Sequence, residues 1–372
     1  MNWINNQPVK IIFGSDTTKN LGEILIKNGY NNAFLVSDPI FKENGLIDLL
    51  ISNSNGIIKN YFCDLTPNPS VQEVDNCAQL IRENSYDVIV ALGGGSSLDC
   101  AKAACIVACD KYKTCEYHSG GRKFVKEALP IVAIPTTAGT GSEVTCVSVL
   151  TDRDKNLKAP IVSESFYPKL AIIDPVLTLT VPKKILAATG LDVLSHALEG
   201  YWSKNHQPIC DALGIYAADL IFKNLRKAFQ DPNDICAREK LCEASVIAGL
   251  AFTIPKTAGV HACSFPLTTE YGLSHGEACA FTLDSFTKIN AEVENGRLHE
   301  LAKKCGFKDA YDMANEIASL KKDLGMKLSL ADANILENDI ASLAKLSQHP
   351  NMNNNPITMT QDMLIDMYKS IG

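Results

Sequence analysis

Apolar residues in the first half of the chain fall in short continuous runs separated by amphipathic stretches. "NNAFLVSD" (31–38) is a β-type run that ends at a carboxylate, and "IIKNYFCDL" (57–65) is a second strand candidate. "VQEVDNCAQLIREN" (71–84) places Val74, Cys77, Leu80 and Ile81 at helical spacing. "YDVIVALGGGSSLDCAKAACIVA" (86–108) reads as strand, glycine turn and helix. "LPIVAIPTTAGTGSEVT" (129–145) reads as a strand opening into a Gly/Thr/Ser loop, and "KLAIIDP" (169–175) as one more strand. Continuous apolar strands alternating with helices predict a parallel sheet covered on both faces. After Pro182 the texture changes to long helical patterns such as "ICDALGIYAADLIFKNLRKAF" (209–229) and "AREKLCEASVIAGLAF" (237–252). The boundary falls within 176–184. The expected organisation is an α/β domain over 1–180 followed by an all-helical domain over 181–372.

Composition narrows this picture without redirecting it. A chain of 372 residues exceeds one ordinary core, which agrees with two domains. A net charge of −7 argues against an extended surface for nucleic acid or anionic membrane. No apolar run reaches the roughly 18 residues of a membrane span. The N-terminal "MNWINNQPVKIIFG" lacks a basic start followed by an apolar block, so a cytoplasmic location is expected. Thirteen cysteines then read as reduced thiols. Their densest group, Cys100, Cys105, Cys109 and Cys115, contains no CxxC pair and reads as small apolar side chains.

Two loops carry a phosphate-binding signal. "ALGGGSSLD" follows a buried strand and opens a helix, where glycines allow close backbone approach and free N–H groups bind an anion. It is not the GxGxxG fingerprint, and a tight turn without a ligand remains the alternative. "PTTAGTGSE" (135–143) lies at the end of the next strand, the side of an open α/β sheet on which ligands bind. Asp38, at a strand end, suits the adenosine ribose hydroxyls and would repel a 2′-phosphate, so NAD is favoured with NADP left open. Locally, Asp38 also reads as a turn residue before Pro39.

The second chemical signal is a set of possible metal ligands. In "TGLDVLSHALEGY" (189–201), Asp192 and His196 share one helix face, and Glu199 is placed to orient the His196 ring. An exposed ion pair would give the same spacing. "HACSFPLTTEYGLSHG" adds His261 and His275. Three histidines and one aspartate form a four-donor set that suits Fe(II), or Zn(II), rather than Mg or Ca. Spacing alone does not bring 192–196 to 261–275.

With these motifs in order over nearly the whole chain, the sequence resembles the iron-containing (group III) alcohol dehydrogenases, which are similar in fold to glycerol dehydrogenases and dehydroquinate synthases. "GGGSSLDCAKA" (93–103), "IPTTAGTGSEVT" (134–145), "DPVLTLTVP" (174–182), "GLDVLSHALEGY" (190–201), "HAC" (261–263), "HGEACA" (275–280) and "NNPIT" (354–358) carry the resemblance. It implies an N-terminal dinucleotide domain and a C-terminal helical domain with the site in the cleft between them. It implies metal ligation by Asp192, His196, His261 and His275. It also implies that Asp38, Asn68, Gly94, Gly95, Ser96, Thr136, Thr137, Val149 and Lys158 line the cofactor, and that the enzyme is at least a homodimer.

Residues 253–269 depart from the family pattern. The usual HAxAHPL reads His261-Ala262-Cys263-Ser264-Phe265-Pro266-Leu267, so the histidine credited with proton relay is a phenylalanine. "TIPKTAG" (253–259) places Lys256 and Thr257 near the third ligand. These departures resemble the phosphonoacetaldehyde reductase branch. They lead to the expectation that phosphonoacetaldehyde is reduced to 2-hydroxyethylphosphonate, with Lys256, Thr257, Ser264 and Phe265 at the substrate and further hydroxyls from Thr268 and Thr269. The alternatives are a general short-chain alcohol or diol dehydrogenase of lactaldehyde/propanediol or butanol type, a dehydroquinate-synthase-like lyase, and a catalytically silent metal- or nucleotide-binding protein.

Overall fold

In the α/β unit, the four central strands, Ala33–Ser37, Val88–Gly93, Ile131–Pro135 and Leu170–Ile173, are buried at every position because both of their faces are covered. The computed structural model describes residues 3–371. The strands are β1 (Lys10–Phe13), β2 (Ala33–Ser37), β3 (Ile58–Phe62), β4 (Val88–Gly93), β5 (Ile131–Pro135), β6 (Val147–Asp152), β7 (Leu157–Val162) and β8 (Leu170–Ile173). Six of them form a sheet in the order β1-β8-β5-β4-β2-β3, and every pairing is parallel. Successive side chains of a strand point to opposite faces. Phe34, Val36, Ile89, Ala91, Ile131 and Ala133 accordingly enter one core. Ala33, Leu35, Val88, Val90, Leu92, Val132 and Ile134 enter the other. The helix Val71–Arg82 lies over the first face, started by a Ser70/Glu73 capping box that satisfies its first free N–H groups.

The strand order contains one reversal. From β2 the chain runs outward to β3, then returns to β4 and continues through β5 to β8 in the opposite direction. The crevice at the carboxyl ends of β2 and β4 is therefore the topological switch point, where open α/β sheets bind their ligands. Strands β6 and β7 were not foreseen. They form an antiparallel pair outside the main sheet, and their half-exposed alternation is too short and polar to stand out beside the buried runs.

The described chain forms two compact units, residues 6–137 with 142–179, and residues 138–141 with 180–371. The second unit thus includes four residues of the Gly/Thr/Ser loop as well as the C-terminal half. Within it, the amide of Gly139 donates to Ser245 Oγ at 2.8 Å. Described residues after Thr180 form helices and no strand, including Lys183–Trp202, Pro208–Gln230, Ile235–Phe252, Gly259–Thr269 and His275–Ile289. The Lys183–Trp202 helix is buried on all sides from Gly190 to Trp202. A helix with that environment is central to its unit, and any charged residue on it must find a partner inside.

Candidate functional site

Asp192, His196 and Glu199 are the charged residues on the buried part of that central helix. Asp192 is 2 % exposed, and its Oδ1 has no hydrogen-bond partner. Three imidazole nitrogens surround this oxygen: His261 Nε2 at 3.6 Å, His275 Nε2 at 3.8 Å and His196 Nε2 at 3.9 Å. His261 Nε2 and His196 Nε2 are 3.1 Å apart. Donors about 2.0–2.2 Å from a shared tetrahedral ion stand about 3.4 Å from one another, so these spacings fit a divalent metal. A buried carboxylate oxygen with no proton donor, facing three ring nitrogens, also fits that group chemically.

The protonation state of His196 agrees with ligation. Burial lowers the pKa of His196 to about 3, against the pull of Asp192 and with help from His261 and His275. Its ring is neutral, as a metal ligand must be, and it stacks on Phe252 at 4.1 Å.

Glu199 has a different role from the one expected. It orients His261 rather than His196. Its Oε2 pairs with His261 Nδ1. Its Oε1 accepts from the backbone N–H groups of Ala258 at 3.0 Å, Val260 at 2.8 Å and His261 at 3.3 Å. One carboxylate therefore caps the Gly259–Thr269 helix and holds the His261 proton on Nδ1, which leaves Nε2 free to ligate. The expectation failed because i,i+3 spacing identifies neighbours on one helix and says nothing of a second helix packed against it.

His275 opens its own helix and is the most exposed of the four, at 35 % for the side chain. The next residue must be glycine. An added Cβ on Gly276 would collide with the carbonyl of Ala188, one turn before Asp192, so this position permits the close approach of the two helices. One turn further on, Cys279 brings a sulfur to the same place. Asp192, His261, His275 and Cys279 offer donor atoms that all lie within 4.8 Å of one another. Burial raises the Cys279 pKa to about 11, although His261 pulls it down. The signal was present in "HGEACA", since His275 and Cys279 repeat the i,i+4 relation of Asp192 and His196.

The expected substrate residues diverge. Ser264 is fully buried and donates to the carbonyl of His261 at 2.8 Å, so its hydroxyl is spent inside the helix. Thr257 Oγ1 accepts from Asn351 Nδ2 at 2.9 Å, and its carbonyl accepts from Asn354 Nδ2 at 2.9 Å. Lys256 is exposed and sits in a left-handed backbone conformation, φ 67°. Phe265 stacks on His349, with centroids 4.2 Å apart. Thr269 Oγ1 donates to Glu270 at 3.1 Å, and Thr268 Oγ1 is buried without a hydrogen-bond partner.

In the α/β unit, the nucleotide-site candidates gather at the switch point. Asp38 directly follows β2, and its Oδ2 accepts from Ser97 Oγ at 2.6 Å. Burial raises its pKa, while Ser97 and the Gly94 backbone oppose the shift by stabilising the carboxylate. Gly93, φ 145°, leaves no room for a Cβ between Ser97 and Asp38. Gly94 caps the Gly95–Val107 helix with no side chain on the terminal N–H groups, so Gly95 and Ser96 present backbone donors suited to phosphate. Asn68, φ 57°, donates its N–H to Ser96 Oγ at 3.2 Å, and its side-chain oxygen accepts from Lys158 Nζ at 2.7 Å. The amide of Thr136 bonds the carbonyl of Gly93 at 3.0 Å, and Thr137 is the side chain nearest to Gly94. Val149 N–H donates to Asp99 Oδ2 at 2.9 Å.

Behind these residues lies a buried network that the sequence did not announce. Lys102 Nζ donates to Ser142 Oγ at 2.7 Å, Thr145 Oγ1 at 3.2 Å and the carbonyl of Val147 at 2.9 Å. Burial lowers its pKa to about 8, opposed by Asp99 and Glu143. Ser142 Oγ also bonds Asp99 Oδ1 at 2.8 Å. The pair Asp99 and Lys102, three apart on one helix, was its only trace.

Known proteins are similar to the chain over both of its halves. The family model for iron-containing alcohol dehydrogenase matches residues 8–175, and the model for the C-terminal part of the Fe-containing alcohol dehydrogenase family matches 186–372. The crystal structure of sulfoacetaldehyde reductase from Bifidobacterium kashiwanohense in complex with NAD+ is similar at a TM-score of 0.97. It has 50% sequence identity and covers 100% of this chain and 99% of that one. Long-chain-alcohol dehydrogenase 1 of Geobacillus thermodenitrificans (strain NG80-2) is 33% identical over 329 residues, 85% of this chain and 83% of the relative. The 1,3-propanediol dehydrogenase of Citrobacter freundii is 34% identical over 347 residues, 90% and 89% of the two chains.

Proposed function

The chain belongs to the iron-containing alcohol dehydrogenase family, and from that premise we propose that it reduces a short aldehyde bearing a terminal oxyanion, with NADH as hydride donor. The preferred substrate is sulfoacetaldehyde, and phosphonoacetaldehyde, which the sequence suggested, is the second reading. The observation that carries this is the 50% identity over the whole chain to a sulfoacetaldehyde reductase, against 33% and 34% to the long-chain-alcohol and propanediol dehydrogenases. A sulfonate and a phosphonate both present a tetrahedral, negatively charged group of three oxygens, so the residues that favoured one can serve the other.

In the reaction, hydride passes from nicotinamide C4 to the carbonyl carbon, the C=O π pair moves to oxygen, and solvent supplies the proton. Asp192, His196, His261 and His275 would hold an iron ion, or zinc in its place, and when bound it would supply Lewis acidity toward a carbonyl oxygen. Glu199 holds the His261 proton on Nδ1 and leaves the Nε2 lone pair available for ligation. Asp38 holds the adenosine ribose hydroxyls, and the free N–H groups at Gly95 and Ser96 hold the pyrophosphate. Asn68, Thr136, Thr137, Val149 and Lys158 complete the cofactor site. Phe265 bears no proton, so it forms an apolar wall, and the proton passes through water or the ribose hydroxyls. Lys256 supplies the cation that a desolvated oxyanion requires. The structure leaves Ser264 no part in this reading, because its hydroxyl is taken.

No helix of the described residues is long and apolar enough to cross a membrane. A cytoplasmic homodimer or larger homo-oligomer completes the proposal, and sedimentation of the purified protein tests its assembly.

The deciding measurement is kcat/KM for sulfoacetaldehyde, phosphonoacetaldehyde, propionaldehyde and lactaldehyde in wild type and Lys256→Ala. The anionic substrates should be preferred. Lys256→Ala should cost them alone about ten- to more than a hundredfold, the worth of a charged contact of about 1.5–3 kcal/mol. Equal losses for all four, or an initial preference for propionaldehyde, would leave a general short-chain alcohol dehydrogenase.

A further inference from the structure

Ten of the thirteen cysteines are buried, and for most of them burial is explained by apolar surroundings. Cys105, for example, is packed in the apolar core that includes Ala101, Ala104 and Ile106. Cys279 is different. Its Sγ lies in one donor set with Asp192, His261 and His275, all within 4.8 Å of one another. It is 4.0 Å from His275 Nε2 and shares a helix face with that residue. The buried oxygen in the set, Asp192 Oδ1, has no hydrogen-bond partner, so the space these atoms enclose is chemically unfinished without a cation.

We infer that Cys279 is a sulfur donor to the ion held by Asp192, His261 and His275, so that the centre is not purely nitrogen and oxygen in character. This rests on the reading of those residues as the metal site and extends it to an atom that the expected ligand set does not include. Asp192, His261 and His275 serve two overlapping sets, one completed by His196 and one by Cys279. Occupancy by both gives five donors, an expansion that such ions accept. On binding, the S–H bond is replaced by an S–metal bond and the proton leaves to solvent. A thiolate is a soft ligand, so its presence raises affinity for zinc over manganese. It also places the most oxidisable atom of the site against the ion.

The test uses the full chain stripped of metal and reloaded with Co(II), alone and in competition with a chelator. Wild type should show a sulfur-to-cobalt charge-transfer band in the near ultraviolet in addition to the visible cobalt bands. The charge-transfer band should vanish in Cys279→Ala and persist in Cys105→Ala. Zn(II) affinity in Cys279→Ala should fall about ten- to a hundredfold, with Mn(II) affinity changed much less. Thermal unfolding of the metal-free proteins separates a folding defect from a lost ligand. Should Cys279→Ala prove unstable, Cys279→Ser answers the same question, since a hydroxyl gives no such band. Visible cobalt bands without charge transfer in wild type, or charge transfer unchanged by Cys279→Ala, would overturn the inference while leaving the metal site intact. No cobalt uptake at all would overturn both.

Discussion

The carboxylate of Glu199 makes four interactions, and each belongs to a separate requirement. Three backbone N–H groups at the start of the Gly259–Thr269 helix need an acceptor, and the His261 ring needs its proton held on Nδ1. Glu199→Gln keeps an oxygen for the helix but turns an amide N–H₂ group toward His261. The ring must then accept at Nδ1 and carry its proton on Nε2, where the metal binds. Metal affinity, read by chelator competition, should drop about ten- to a hundredfold with little change in the melting temperature of the metal-free protein. Affinity within twofold of wild type would show that Glu199 acts on the helix alone. Asp38 makes the second prediction at this scale. Its carboxylate is stabilised by Ser97 and Gly94, and two like charges about 4 Å apart near a surface repel by about 4 kcal/mol. NADH should be used better than NADPH, and Asp38→Gly should improve kcat/KM for NADPH by about tenfold or more. A wild-type preference for NADPH would remove Asp38 from the ribose. Both residues were visible in the sequence as carboxylates at suitable places. For Glu199 the local pattern named the wrong histidine, because a helix face does not dictate what packs against it.

Among elements, the segment Ser142–Val144 and strand β6 are tied to the Gly95–Val107 helix by the network around Lys102 and Asp99. Glu143 lies in this segment, 2 % exposed. Burial pushes its pKa up from 4.5 to about 7, against its own backbone N–H and Lys102. The folded chain therefore binds a proton more tightly than the unfolded chain, and this group's contribution falls as pH rises from about 4.5 through 7. At pH 7.5 most of the penalty, roughly 3 kcal/mol, is present. Glu143→Gln should raise the melting temperature at pH 7.5 and change it little at pH 5. A variant equally destabilised at both values would mean that the ionised carboxylate is needed beside Lys102. The elements themselves were largely readable. Strands β2, β4, β5 and β8 are continuous apolar runs because both faces are covered, and the Val71–Arg82 helix announces itself by its cap and period. The β6–β7 pair was missed because β6 alternates in exposure over only six residues and β7 is mostly exposed. Such a signal does not separate a strand from a polar loop.

For the whole molecule, the thiols give a direct check. None of the thirteen cysteines is in a disulfide; ten are buried, and Cys109 and Cys236 are exposed. Titration in denaturant without reductant should find nearly thirteen thiols, and only a few should react in the native state. Several stable disulfides would contradict a reducing compartment. What the sequence by itself determined is whatever follows from local order. Its runs and glycine turns imply a parallel sheet with a nucleotide site, the long helical patterns follow from Lys183 onward, and Asp192, His196, His261 and His275 stand out as candidate ligands while Cys279 does not. These are consequences of period, propensity and chemistry, which act between near neighbours. Tertiary structure alone decided which donors meet. Asp192 and His261 are far apart in the chain, yet Oδ1 and Nε2 lie 3.6 Å apart. Ser264 turns inward to its own helix, Glu199 serves the histidine of another helix, and Cys279 joins the donors. Each depends on how one helix face packs on the next, and the Gly276–Ala188 approach allows it for His275 and Cys279. Helix packing is set by the summed fit of many side chains, so no short stretch of sequence contains it.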